Sequence, residues 1–144
     1  MPQETIVVVD DNQDSLAIFG TIFSDAGYRV VTGTDGLQAI ELVRVAAPAL
    51  LVVDIHLPRM DGIDVIRAIR ADPASARVPI LALTADALPE TRTLVERAGC
   101  DLFFRKPLDP KGLLLAVRGL IEDRSAGSTD PLLPELGPPA PAPA

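Results

Sequence analysis

The chain has 144 residues, 48% of them hydrophobic but only 3% aromatic, so one domain with a core of aliphatic side chains is expected. A net charge of −7 leaves no basic stripe to neutralise phosphates, which excludes a nucleic-acid surface. No apolar run nears the roughly 20 residues of a membrane span, Met1–Thr5 has no basic leader region, and the single cysteine, Cys100, excludes a disulfide framework or a cysteine zinc site; the chain reads as soluble and cytoplasmic.

The first predicted strand, Thr5–Val9, runs straight into Asp10 and Asp11. Two adjacent carboxylates at the end of a buried strand cost energy unless a cation lies between them. A helix follows, with Asp14 as its expected cap and Leu16, Phe19, Phe23 and Ala26 as its inward stripe. The second strand, Arg29–Thr32, leads to a helix over Asp35–Ala46, with Leu37, Ile40, and Val43 or Arg44 at inward spacing. The third strand, Leu50–Val53, ends at Asp54, before the turn-rich stretch IHLPRMDG and a short helix, Ile63–Arg70. Pro79–Leu83 is the fourth strand and leads to Thr84. Pro89 then opens a helix that Gly99 stops. Leu102–Phe104 passes through Arg105 to Lys106, and Asp109 with Pro110 opens the fifth helix. Continuous apolar runs such as LLVV and ILAL mark strands covered on both faces. Five βα units in alternation therefore predict an α/β fold with a parallel sheet and helices on both sides. Residues 125–144 hold six of the 14 prolines and end GPPAPAPA, which predicts a disordered or polyproline-II tail after a domain of residues 1–124.

Ligands of open parallel sheets bind outside the carboxyl ends of the strands. That edge collects Asp10, Asp11, Asp54, Thr84 and Lys106. Each has a plain alternative: a turn or capping aspartate, a capping threonine, a solvated lysine. Their joint placement points to a site. Only two of the 13 basic residues are Lys, so Lys106 marks a place for a compact ammonium where a planar guanidinium would not fit. Carboxylates with backbone carbonyls suit Mg²⁺. A hydroxyl and an ammonium beside them suit the oxygens of a phosphoryl group, and a carboxylate there can become an acyl phosphate.

The segments VVVDDN, LLVVDIHLPRMDG, LALTAD and FFRKPLD, in this order and spacing, resemble the receiver domain of two-component response regulators over about residues 4–123. The resemblance implies a flavodoxin-like, doubly wound sheet in 2-1-3-4-5 order. It also implies that Asp54 is the phosphoacceptor, and that Asp10, Asp11, Asp54 and the backbone carbonyl of His56 form an Mg²⁺ site. In that site Asp11 binds directly and Asp10 through water. Thr84 and Lys106 would contact the phosphoryl group. Phe103, three residues before Lys106, falls where receivers carry a switch aromatic that rotates inward as Thr84 moves; a plain core ring is the alternative reading. His56 and Asp86 would lie at the rim and tune dephosphorylation, and the Lys106–Pro107 bond would be cis.

A sensor histidine kinase or histidine phosphotransfer protein is the implied phosphoryl donor, with a downstream effector protein as output. The chain would act as a stand-alone signalling module in a phosphorelay, monomeric or dimerising on phosphorylation, and not as a turnover enzyme. Ile18 and Leu115 lie off the inward stripes and are candidate partner contacts. Two other classes compete. An aspartate-nucleophile phosphatase of the haloacid dehalogenase type needs a second Asp two positions after the first, where this chain has Asn12 or Gln13. A metal-free interaction domain of the same shape would not need the complete acidic, Thr and Lys set.

Overall fold

The apolar runs pair as one sheet in the computed structural model, which describes residues 3–85, 88–106 and 109–125. The elements alternate throughout: β1 (Thr5–Val9), α1 (Gln13–Asp25), β2 (Arg29–Gly33), α2 (Gly36–Ala46), β3 (Leu50–Asp54), α3 (Gly62–Ala71), β4 (Ile80–Thr84), α4 (Pro89–Ala98), β5 (Leu102–Arg105) and α5 (Pro110–Ser125). All strand pairs are parallel and the order is β2-β1-β3-β4-β5, as the resemblance implied.

The sheet separates two cores. Ile6, Val8, Leu50, Val52, Leu81 and Leu83 face α1 and α5. Their sequence neighbours Val7, Val9, Leu51, Val53, Ile80 and Ala82 face α2, α3 and α4. Alternate residues thus bury into different cores, which is why β1, β3 and β4 read as unbroken apolar runs. β2 and β5, at the edges, are less buried.

Several sequence expectations shift by small amounts. Asn12, not Asp14, caps α1: its side-chain oxygen accepts the Ser15 N–H at 2.9 Å, which places Asp14 inside the first turn. There Asp14 complements the helix dipole instead. Leu37 does not face inward and is 47% exposed, because α2 buries Ala39 and Val43 in the core, with Ile40 half-buried beside them and Gly36 close against the Met60 backbone. Ala26 forms the C-cap of α1 and is half-buried. β4 starts at Ile80, since Pro79 has no N–H to donate to the ladder. Asp54 and Thr84 are the last residues of their strands and not the residues after them. Pro89 and Gly99 do bound α4, and the Asp109 carboxylate accepts the Gly112 N–H at 3.3 Å at the start of α5. Asp86, Pro107 and residues 126–144 lie outside the described residues, and with them the Asp86, cis-peptide and tail expectations; His56 is described and exposed.

Arg70, at the end of α3, ties four segments together. Its Nε donates to the Gly99 carbonyl at 2.9 Å, and one terminal nitrogen donates to the carbonyls of Ala76 (2.9 Å) and Val78 (2.6 Å). The other terminal nitrogen donates to Asp101 Oδ2 at 2.9 Å, which also accepts the Ile80 N–H at 2.8 Å. One planar fork thereby fixes the ends of α3 and α4 and the starts of β4 and β5.

Cys100 lies beside this junction against the α2–α4 core. Burial pushes its thiol up to about 12, and the charges of Asp101 and Glu96 add to the effect. The folded state holds the protonated thiol while an unfolded thiol ionises near pH ~8.5, so this stabilisation is complete below that pH and is lost as pH rises toward the folded value. At pH 8 an aromatic disulfide reagent should react at least about a hundredfold more slowly with native protein than with urea-unfolded protein. Equal rates would contradict a buried, protonated thiol.

Candidate functional site

β1, β3 and β4 end side by side at the carboxyl edge of the sheet, and each delivers one of the expected site residues. Asp10 follows β1 and is 1% exposed, Asp54 ends β3 at 7%, and Thr84 ends β4 at 0%. β5 brings Lys106, whose backbone N–H donates to the Thr84 carbonyl at 2.8 Å. Its ammonium turns back over the strand ends and donates to Asp10 Oδ2 at 2.7 Å and to Asp54 Oδ2 at 2.9 Å. The charge conflict at the end of β1 is thus answered from 96 residues downstream.

The second oxygens of both aspartates are held by backbone. Asp10 Oδ1 accepts the Asn12 N–H at 2.9 Å, and Asp54 Oδ1 accepts the His56 N–H at 3.1 Å. Burial pushes the Asp54 carboxyl above its ordinary value and the Asp10 charge adds to this, while Lys106 and the His56 N–H oppose it. For Lys106, burial alone would lower the pKa. The bonds and charges of Asp10 and Asp54 more than offset that, and the ammonium is held above its ordinary value.

The turn after β3 lies tightly over Asp54. The Gly62 N–H donates to the Ile55 carbonyl at 2.7 Å, and a Cβ on Gly62 would fall 2.5 Å from the Asp54 carbonyl oxygen. Only a residue without a side chain permits that approach. Arg59, at φ 70°, takes the left-handed conformation in the same turn.

Asp11 is exposed, yet one carboxylate oxygen from each of Asp10, Asp11 and Asp54 can lie within 4.8 Å of the others. Three hard anionic oxygens at one point fit a small divalent cation such as Mg²⁺. Asn12, where the phosphatase reading needs an acid, is an amide engaged as the α1 cap. Phe103 lies on β5 opposite Ala82, half-buried against the α2–α4 core, with the Arg92 guanidinium 5.9 Å from its ring centroid. The sequence reading missed the contributions of Asn12, Arg70 and Arg92. Only Asn12 had a signal: a capping residue type three positions before Ser15. Ile18 (58%) and Leu115 (72%) are exposed, off the buried faces of α1 and α5. Among the described residues no helix is long and apolar enough to cross a membrane.

A five-stranded doubly wound parallel sheet in this order defines the class: a flavodoxin-like α/β domain, here with an acidic cluster and an ammonium at the carboxyl ends of its strands. Residues 6–118 match the response regulator receiver domain, and the chain belongs to that family of two-component signalling domains. The polar-differentiation response regulator DivK of Brucella anthropi is 26% identical over 123 residues, which are 85% of this chain and 99% of that protein. Among solved structures, the receiver domain of the sensor histidine kinase PA1611 from Pseudomonas aeruginosa PAO1, with a magnesium ion coordinated in its active-site cleft, is 31% identical. It superposes with a TM-score of 0.79 over 84% of this chain and 99% of that one. The chemotaxis response regulator CheY4 of Vibrio cholerae is 27% identical, with a TM-score of 0.77 over 83% of this chain and 99% of that one.

Proposed function

We propose that the chain is a phosphorelay receiver that accepts a phosphoryl group on Asp54, with Mg²⁺ held by Asp10, Asp11, Asp54 and the His56 backbone carbonyl. The observation that carries this reading is the Lys106 ammonium bridging Asp10 and Asp54, whose carboxylates also cluster with that of Asp11. A carboxylate oxygen of Asp54 attacks phosphorus, the bond from phosphorus to the donor's nitrogen or oxygen breaks, and an acyl phosphate forms. As the carboxylate charge is lost, Lys106 keeps its bond to Asp10 and offers its remaining donors to the new phosphoryl oxygens. Thr84 supplies a hydroxyl at the adjoining strand end. Bound Mg²⁺ supplies positive charge that neutralises the phosphoryl oxygens.

The donor in this reading is a sensor histidine kinase or a phosphotransfer protein, and the product is a changed surface read by an effector protein. Slow self-hydrolysis, tuned by the side chains of His56 and Asp86, ends the signal. The test is incubation with Mg²⁺ and a small acyl-phosphate donor, followed by a search for one alkali-labile phosphate per chain. The metal set has its own check. Asp11→Asn removes one ligand charge and should weaken Mg²⁺ binding about tenfold by titration calorimetry. Unchanged affinity would remove Asp11 from the ligand set.

A further inference from the structure

The opening turns of α4 bury few side chains. The helix buries only Val95 and Ala98, both in its second half. Before them Pro89, Glu90, Thr93 and Leu94 are exposed, and Thr91 and Arg92 are half-buried. Arg92 reaches the sheet: its guanidinium stands over the Phe103 ring at 5.9 Å, and its Nε donates to Glu96 Oε2 at 3.0 Å. The Arg92 N–H also closes the first turn on the Leu88 carbonyl at 3.2 Å. Phe103, in turn, sits on β5 three residues before Lys106, packed against the core that α4 covers.

We infer that Arg92 is a positioning residue that couples the Phe103 ring to the start of α4. With the ring beneath it, the guanidinium pins these turns to the sheet. A ring drawn inward toward Thr84 takes that platform away and frees them. A cation over an aromatic face at a partly exposed site is worth enough to change a local opening equilibrium about two- to fivefold. Glu96 holds the guanidinium in place from one turn below, so ring, cation and carboxylate act as one latch. The pinning contact stands on geometry alone, whereas its release rests on the phosphoacceptor reading.

Amide hydrogen exchange on the full chain tests both parts. Without phosphoryl donor, Arg92→Met and Phe103→Leu should each speed exchange of the Arg92, Thr93 and Leu94 amides about two- to fivefold. The double variant should exchange no faster than the faster single, and Arg92→Lys, which keeps the cation, should lie between wild type and Arg92→Met. Amides of Val52 and Leu81 in the sheet should be unchanged, which separates the local effect from general destabilisation. Wild-type exchange in Arg92→Met, or additive effects in the double variant, would overturn the contact. Adding Mg²⁺ and an acyl phosphate should then speed the same amides in wild type but not in Asp54→Asn. If Asp54 is labelled and these amides do not respond, the release is overturned. If Asp54 is not labelled, the phosphoacceptor reading fails while the donor-free comparison still decides the contact.

Discussion

Asp54→Asn is expected to reduce the labelling of this chain by an acyl phosphate by at least about a hundredfold, to the background of the assay, because an amide cannot form an acyl phosphate. The substitution preserves shape, so the expected loss is chemical. The amide oxygen introduced there can still accept the His56 N–H that Asp54 Oδ1 accepts at 3.1 Å, and the surrounding core would be unchanged. Asp14→Asn is the control. Asp14 is also a carboxylate near the end of β1, but it lies inside the first turn of α1 and takes no part in the Lys106 contacts. It should label as wild type does. Equal labelling of the two variants would sink the assignment of Asp54.

The largest effect on stability is expected away from the site. Arg70→Met should cost about 3 kcal/mol, because four hydrogen bonds to one partly buried guanidinium are lost together. The side chains of Arg70 and Asp101 are 20% and 22% exposed, so neither ion recovers full hydration in the fold. Asp101 Oδ2 would keep the Ile80 N–H but lose the guanidinium donor beside it. Methionine fills much of the volume but offers no donors. Arg70→Lys should recover little, since a point ammonium cannot reach carbonyls on both sides of a planar fork. Urea unfolding should show a lower midpoint with an unchanged slope, and a melting temperature lower by about 10 °C is the thermal counterpart. A loss below about 1 kcal/mol would mean that water replaces these bonds.

Much of the fold was legible because buried parallel strands cannot be written any other way. β1, β3 and β4 each need apolar side chains toward both cores, and the resulting runs gave their positions within a residue or two. The strand ends then named Asp10, Asp54, Thr84 and Lys106 as neighbours. Helix edges were less legible. Asn12 and Asp14 are both good capping residues, and the choice between them depends on where the chain turns out of β1. Leu37 looked inward by spacing, but Ala39 and Val43 take the buried face of α2, and Gly36 packs against the Met60 backbone in the turn after β3. Arg70 and Arg92 carried no local signal, since an arginine on a helix is usually solvated and their partners are remote in sequence or lie across a turn.

Residue order was enough to set the number and succession of the βα units, the edge on which the chemistry collects, and the residue types available there. How those residues are neutralised and pinned emerged only with the folded chain. Asp10 and Asp11 first posed the problem of two adjacent negative charges. The fold answers it unevenly, burying Asp10 against Lys106 and leaving Asp11 open to solvent. Local patterns record burial and turn chemistry, which act over a few residues. The partner of a charge is fixed only when β1, β3 and β5 are brought together across the sheet.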